Sequence, residues 1–410
     1  MILKNLLQKP YRELSILIAD SVLLQNFCHI PNLNNEVQVP SKSSLQRFSR
    51  LFSEEFLRGQ VIRLIHQASH KESVLGLAAP IDTKDVFVDA TCMKADIHFP
   101  VDWVLLKDCM MTILKAILVI RKHGLKYRIK DPKRFISQLN AQCMSITSIA
   151  GKPGAKKDRK KKFRQLRDLG TTIRTHGCNY ISELESRWES STDLTEGQKV
   201  VIIKRLEDMV ALIPKAIEQA GKRILQNMPP ENKEKILSAY HEDVNVLKRG
   251  KAGADCEFGN PLFIAEQQDG LIVDWKLYRT DVKEPQSTPE SIKRMIDEYD
   301  FTIGSVTGDR GCHSAANDSM LTQREIFSGL ASRKPLEMAE KMKDPKFRAL
   351  QKRRAQTEGR IGILKNCFLD GSLYERTFDD KELAVAWAVF THNLWGLARI
   401  LKKDLLEKAA

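Results

Sequence analysis

"DVFVDATCM", residues 85–93, is the stretch on which the fold turns. Val86, Phe87 and Val88 make a short apolar run that ends on an acid, Asp89, which is the pattern of a buried strand carrying a carboxylate at its end. Taken alone, an aspartate in that place is usually a turn-former. Its meaning depends on which other elements come to lie beside it.

Downstream, "DWVLLKDCMMTILKAILVIRKHGL" (102–125) is the most apolar part of the chain. Lys107, Asp108 and Lys115 interrupt it, so it reads as a buried amphipathic helix and not as a membrane span. Helical patterning continues to about residue 249. "LTEGQKVVIIKRLEDMVALIPKAIEQAGKRIL" is one strong amphipathic run with a break expected near Pro214, and Asn227, Pro229 and Pro230 mark a loop after it. Within this block "KPGAKKDRKKKFR" (152–164) sets eight Lys/Arg against one Asp. It reads as a basic linker, either solvated or acting as a phosphate-contacting arm through Lys156, Lys157, Arg159, Lys160, Lys161 and Lys162.

Strand signals then return. "PLFIAE" (261–266), a Gln-Gln-Asp-Gly turn and "LIVDWKLY" (271–278) predict a hairpin. A helix is expected from Pro289 to Asp300, a strand over about 301–307 ending in a turn at Asp309, a helix over 345–368, and a last amphipathic helix in the tail. The strands on either side of the helical block need each other to complete a sheet. The fold class is therefore α/β: a mixed sheet flanked by helices, with a core of 81–102 and 251–371, a large helical insertion over 103–250, and a C-terminal helix in 372–410. Upstream, residues 1–80 read as helical. Pro10 starts one helix, and Ser43 or Ser44 caps another that runs through "SSLQRFSRLFSEEFLRGQVIRLIHQ". Two helices around a polar turn suit a helix-turn-helix-like DNA reader or a plain helical cap.

The 410 residues are 42% hydrophobic and 29% charged, enough for a sizeable buried core. A net charge of +14 points to a polyanionic partner, nucleic acid first. The eight cysteines are scattered without metal-ligand or C-x-x-C spacing, which suits a reducing cytosol. The opening "MILKNLLQKPYREL" meets charge before an apolar core can build, so no secretory signal is expected. No Walker-type loop and no G-x-G-x-x-G occurs.

"RRAQTEGRIGILKN" (353–366) places Arg354, Glu358, Ile361 and Lys365 on one helical stripe. In isolation Arg354 and Glu358 would be a solvated i,i+4 pair worth roughly 0.3–0.5 kcal/mol. Beside Asp89 and Asp309 the glutamate takes on another meaning. Three carboxylates from two strand ends and a helix suggest a site for hard divalent cations, Mg²⁺ or Mn²⁺. Two such ions about 3.5–4 Å apart can activate an attacking oxygen and stabilise a leaving oxygen in phosphoryl transfer. Arg354 and Lys365, with Arg310 next to Asp309, become candidate DNA contacts.

These three regions together resemble the DDE-type transposases of bacterial insertion sequences. "VFVDATCM" resembles the first-aspartate region and "GDRGCHS" the second. "RRAQTEGRIGILKN" resembles the third, in which Tyr, Arg, Glu and Lys follow Y-x₂-R-x₃-E-x₆-K. Arg354, Glu358 and Lys365 match that spacing; Gln351 stands at the Tyr position, and Cys312 stands where the second motif has Tyr. "KAGADCEFGNPLFIAE" (251–266) resembles the segment leading into the second strand. The resemblance implies a ribonuclease-H-like core, two Mg²⁺ or Mn²⁺ ions on Asp89, Asp309 and Glu358, and cleavage of element ends followed by joining to target DNA. It also implies a homodimer or larger assembly on paired DNA ends, in a bacterial cytoplasm at the nucleoid, without membrane association. Rival readings are an inactive DNA-binding relative, a nuclease of the same fold without strand transfer, and a helical scaffold whose basic arm binds RNA. His98, Asp102, His313 and Cys92 read as structural, because no ligand spacing supports a zinc site. Trp275, Trp387 and Trp395 read as core.

Overall fold

The computed structural model describes residues 1–409 apart from 31, 34–35, 72–73, 150–153, 229, 232–233, 242 and 252–253; the side chains of 32–33, 36, 249–251, 254–255 and 408–409 also lie outside the description. Helices α1 (Ile2–Leu7), α2 (Tyr11–Asp20) and α3 (Val22–Phe27), a small ladder of β1 (Asn32–Leu33) with β2 (Glu36–Val37), α4 (Lys42–Phe48) and α5 (Glu54–Ser69) lead into strand β3 (Asp85–Ala95). The single helix expected after Ser43 is two. Ser41 Oγ accepts the Ser44 N–H and caps α4, and Ser53 Oγ accepts the Phe56 N–H and caps α5, where Glu54 and Glu55 favour a helix start.

The chain forms two compact units, residues 1–96 with 246–410, and residues 97–245. The second is all-helical among its described residues up to its last: α6 (Asp102–Lys122), α7 (Pro132–Ser148), α8 (Ala155–Ser191) and α9 (Glu196–Leu225). They share one apolar core that includes Leu106, Ile113, Phe163, Tyr180 and Ile213. Two expectations are corrected here. Residues 155–164 are no linker but the first turns of the 37-residue α8, and Lys160 Nζ donates to Leu225 O at the end of α9. Lys152, at the start of the basic run, lies outside the described residues. Nor does α9 break at Pro214. A proline cannot bond the carbonyl four residues back, and that orphan, Val210 O, instead accepts Arg174 Nε at 3.1 Å. Arg174→Ala should therefore lower stability by about 1–2 kcal/mol in urea unfolding, the usual penalty for a buried acceptor left unpaired; an unchanged midpoint would refute that account.

The first unit continues with β4 (Asn245–Lys251), β5 (Ala254–Gln267), β6 (Ile272–Leu277), α10 (Glu284–Lys293), β7 (Ser305–Gly308), α11 (Ala315–Gln323), β8 (Phe327–Leu330), α12 (Pro335–Lys341), α13 (Pro345–Ile363), β9 (Ser372–Leu373) and α14 (Phe378–Ala409). The predicted hairpin is present as β5 and β6. Seven strands form one mixed sheet around β3. β5 runs antiparallel to both β3 and β6, while β7 is parallel to β3 and β8 parallel to β7. β9 pairs in parallel with Lys94 and Ala95. β3 does not stop at Asp89. Its parallel partner ends at the Val88–Gly308 pair, but β5 continues alongside it from Val86 to Lys94 and keeps the strand extended. Asp89 therefore lies mid-strand, where the neighbour on one side has ended.

α10 begins at Glu284, ahead of the expected Pro289, and continues as a π-turn over Arg294–Glu298. Pro289 sits inside it, and the carbonyl it cannot engage, Pro285 O, accepts Asn317 Nδ2 at 3.0 Å. α13 likewise opens into a π-turn over Leu364–Phe368. The terminal segments, expected as separate regions, belong to the same unit as the sheet, with α5 packed on α14 and β6. Arg58 of α5 and Arg294 both pair with Asp274 of β6, which is 0% exposed and also accepts from Ser291 and Tyr299. Trp275 and Trp387 are buried and Trp395 half-buried, as expected.

Candidate active site

The next residues after the paired Val88 and Gly308 are Asp89 and Asp309. Two acids far apart in sequence thus stand side by side, at the carboxyl end of the parallel pair. That end of an α/β sheet is the usual place for ligand and catalytic groups, because the chain leaves the sheet there and opens a crevice. Asp309 enters a tight turn in which its Oδ1 accepts the N–H groups of Gly311 (2.7 Å) and Cys312 (3.2 Å), which fixes the carboxylate's orientation.

Glu358 is exposed and is carried by α13, which packs against β3, β7 and β8. Three anchors hold that helix. Near its start, Gln351 Nε2 donates to Gly308 O and Gly329 O at the ends of β7 and β8. Gln351 is thus a docking group for this helix. On the inner face Arg353 donates to Glu266 Oε1 (3.0 Å), Gln267 O (3.0 Å) and Gln268 O (2.9 Å), and lies over the Phe87 ring at 4.3 Å. Thr357 donates to the same Glu266 oxygen at 2.8 Å. Past the end of α13, Lys365 Nζ donates to Thr91 Oγ1 (3.2 Å) and Cys92 O (2.7 Å) of β3, so its ammonium is turned to the strand that carries Asp89.

Electrostatics ties the three acids together. The Asp89 carboxyl is raised to about 6, first by burial, then by the Asp309 charge and more weakly by Glu358, with the Ala90 N–H and the Arg354 guanidinium opposing. Arg354 Nε is buried without a hydrogen-bond partner. No Arg354–Glu358 ion pair forms among the described residues, so the i,i+4 surface pair is not how these two side chains are used. The donor set is oxygen-rich and carries excess negative charge that a divalent cation would relieve, so the residues fit Mg²⁺ or Mn²⁺. Cys312 contributes little to such a site. Its buried thiol is held far above the usual range, first by burial and then by Asp309, Glu284 and Asp89, and it stays protonated. Asp89, Asp309 and Glu358 do not themselves form a group with all ligand atoms within 4.8 Å; the group of that size at this spot is Glu284, Asp309 and Cys312.

Glu284 was missed in the sequence. A proline one residue after it, Pro285, is a first-turn signal that would have started the helix there and placed the acid at its end. Arg310 is exposed beside Asp309. In the helical unit Lys156, Lys157 and Lys161 are exposed on α8, Lys162 is half-buried, and Arg159 lies over the Trp103 ring at 5.9 Å. His98 pairs with Asp108 (2.9 Å), and Asp102 with Gln219 and Arg223. His313 meets Asp318 and Glu337, but Lys341 Nζ is 2.9 Å from Asp318 and already balances that cluster. Among the described residues no helix is long and apolar enough to cross a membrane. No family model matches the chain, and no curated protein or solved structure matches it.

Proposed function

We propose that this protein is a DNA transposase with a ribonuclease-H-like core that cuts the ends of a mobile element and joins them to target DNA by metal-dependent phosphoryl transfer. The observation that carries the reading is that Asp89 and Asp309 each come one residue after the Val88–Gly308 pair of two parallel strands, with the Glu358 charge felt at Asp89. Two Mg²⁺ or Mn²⁺ ions held by these carboxylates would supply activation of the attacking oxygen and stabilisation of the leaving oxygen. The chain's own groups do the rest. The turn at Asp309 orients one carboxylate, and the Gln351, Arg353 and Thr357 anchors hold the helix that presents another. Arg354 supplies a positive charge beside Asp89, and the exposed Arg310 and the basic face of α8 offer phosphate contacts whose strength should fall with salt. The resemblance adds self-association on paired DNA ends.

The test uses supercoiled plasmid carrying the genomic DNA that flanks the coding region. The purified protein should nick it with Mg²⁺ or Mn²⁺ and not in EDTA, and should join pre-cut ends to a second plasmid. Nicking without joining would replace the transposase reading by a nuclease. DNA binding without metal-dependent nicking would leave an inactive relative.

A further inference from the structure

We propose that a cleft in the helical unit binds a nucleotide, with its phosphate on Lys156, Arg159 and Arg223 and its base against Trp103. The inference uses residues of the 97–245 unit alone and does not depend on the three-acid site.

The cleft, about 510 Å³, lies where α6 and α8 begin and α9 ends. Small-molecule sites typically occupy about 300–1,000 Å³. From α8 come Lys156 and Arg159, three residues apart and so on one face. From the last turn of α9 comes Arg223. Among the described lining residues the one carboxylate is Asp102. It is 7% exposed and already accepts from Gln219 at 3.0 Å and Arg223 at 3.4 Å, so the cleft keeps an excess of positive charge. The helix starts add to that field. α6 and α8 are 21 and 37 residues long, and their caps, Val101 and Gly154, provide no side-chain acceptor. The first N–H groups and the dipoles of both helices favour an anion at this end.

Arg159 is the group that asks for a ligand. Its Nε is buried without a hydrogen-bond partner, and no ion pair holds its guanidinium among the described residues. A donor withheld from water without an acceptor is unfavourable, and a phosphate oxygen would supply that acceptor. The guanidinium lies over the Trp103 ring at 5.9 Å, and Phe99, 72% exposed, also lines the cleft. Rings beside cations suit a ligand that joins a flat base to a phosphate, because each half then has a matching surface. A purely inorganic anion would use the cations and leave the rings idle. The plain alternative is a solvated basic surface whose tryptophan belongs to the core of the unit, on which Trp103 does pack. That alternative leaves Arg159 Nε unbonded.

A free nucleotide and an unpaired nucleotide of single-stranded DNA share this chemistry, and the experiment separates them. The full-length protein in EDTA is titrated into 2-aminopurine, a fluorescent base that is quenched on stacking, supplied either as the free nucleotide or at the centre of a short single strand. Wild type should quench at least one probe; quenching of the free nucleotide alone identifies a small-molecule ligand, and quenching of the strand alone a DNA one. Arg159→Gln should weaken that binding by at least about tenfold, as expected for loss of a charged hydrogen bond. Lys161→Gln removes the same charge from an exposed position of α8 outside the cleft and should change binding by less than about twofold. Trp103→Leu should abolish the quenching and Trp103→Phe should retain it, with circular dichroism checking that each variant is folded. The proposal is overturned if wild type quenches neither probe, or if folded Trp103→Leu quenches like wild type. It is also overturned if Lys161→Gln weakens binding as much as Arg159→Gln, which would mean general attraction to a basic surface, or if tripolyphosphate competes as well as an unlabelled nucleotide, which would mean an anion site that ignores the base.

Discussion

Asp89→Asn is expected to reduce metal-dependent nicking by at least about a thousandfold, roughly 4 kcal/mol of barrier, while making the metal-free protein more stable at pH 7. Both effects have one cause. Asp89 is held next to Asp309 and within reach of Glu358 in a partly buried place, and its carboxyl is raised from 3.8 to about 6. The sign follows from linkage. The folded protein holds the Asp89 proton more tightly than the unfolded chain does, so the contribution of Asp89 to stability is fully present below about pH 4, is lost as pH rises through the window between 3.8 and about 6, and is absent above it. A shift of two pH units corresponds to about 3 kcal/mol at most, and solvent access reduces that, so a gain of about 2 kcal/mol is expected for the asparagine variant at pH 7. The gain should vanish below about pH 4, where both forms are neutral. Adding Mn²⁺ should reverse the order, since the ion stabilises only the form that binds it. Urea unfolding at pH 4 and 7, with and without Mn²⁺, measures all of this. An asparagine variant that nicks normally, or whose stability tracks wild type at both pH values, would remove Asp89 from the proposed site.

Glu266→Ala is expected to cost about 3–5 kcal/mol of folding stability, the range for breaking a buried ion pair by deleting one partner. Glu266 is 2% exposed and Arg353 9% exposed. The glutamate meets Arg353, Thr357 and, at 3.9 Å, Arg360, so one carboxylate faces two guanidinium groups and a hydroxyl. Its deletion leaves the Arg353 charge buried with only the carbonyls of Gln267 and Gln268, and the Thr357 hydroxyl without its acceptor. Glu266→Gln keeps an acceptor for Thr357 and should cost less, which separates the charge from the hydrogen bond. Because these contacts dock α13 on the sheet, activity should fall with them even under conditions where the variant stays folded. A double-mutant cycle with Arg353→Met should return a coupling of at least about 1 kcal/mol, as expected for residues in direct contact. Additive effects would mean that the two side chains do not act as a unit.

The elements that carry Asp89, Asp309 and Glu358 were legible in the chain. Asp89 and Asp309 each follow an apolar strand run, and Glu358 sits on a helix whose stripe is visible in the spacing of Arg354 and Lys365. Element type was readable because each run is long enough for its period to stand out. The length of β3 was not, since the hydrogen bonds that carry it past Asp89 come from β5, which begins well over a hundred residues later. The two prolines misled for a related reason. Pro214 and Pro289 are helix breakers by local rule, but Arg174 and Asn317 take up the carbonyls they leave unbonded. Such partners lie on other helices and leave no mark near the proline.

The sequence by itself determined the α/β pattern, the helical block between the first strand and its partners, the basic charge, and which acids follow an apolar strand run or lie on a helix, because hydrophobic period and local charge are properties of neighbouring residues. Only the tertiary structure decided that Asp89 and Asp309 each follow the Val88–Gly308 pair, that Lys365 turns to β3, that Gln351, Arg353 and Thr357 hold the glutamate's helix, and that Glu284 lies close to Asp309. Strand pairing and buried ion pairs are chosen by which surfaces meet when the core closes, and that choice is made between residues that sequence distance keeps apart.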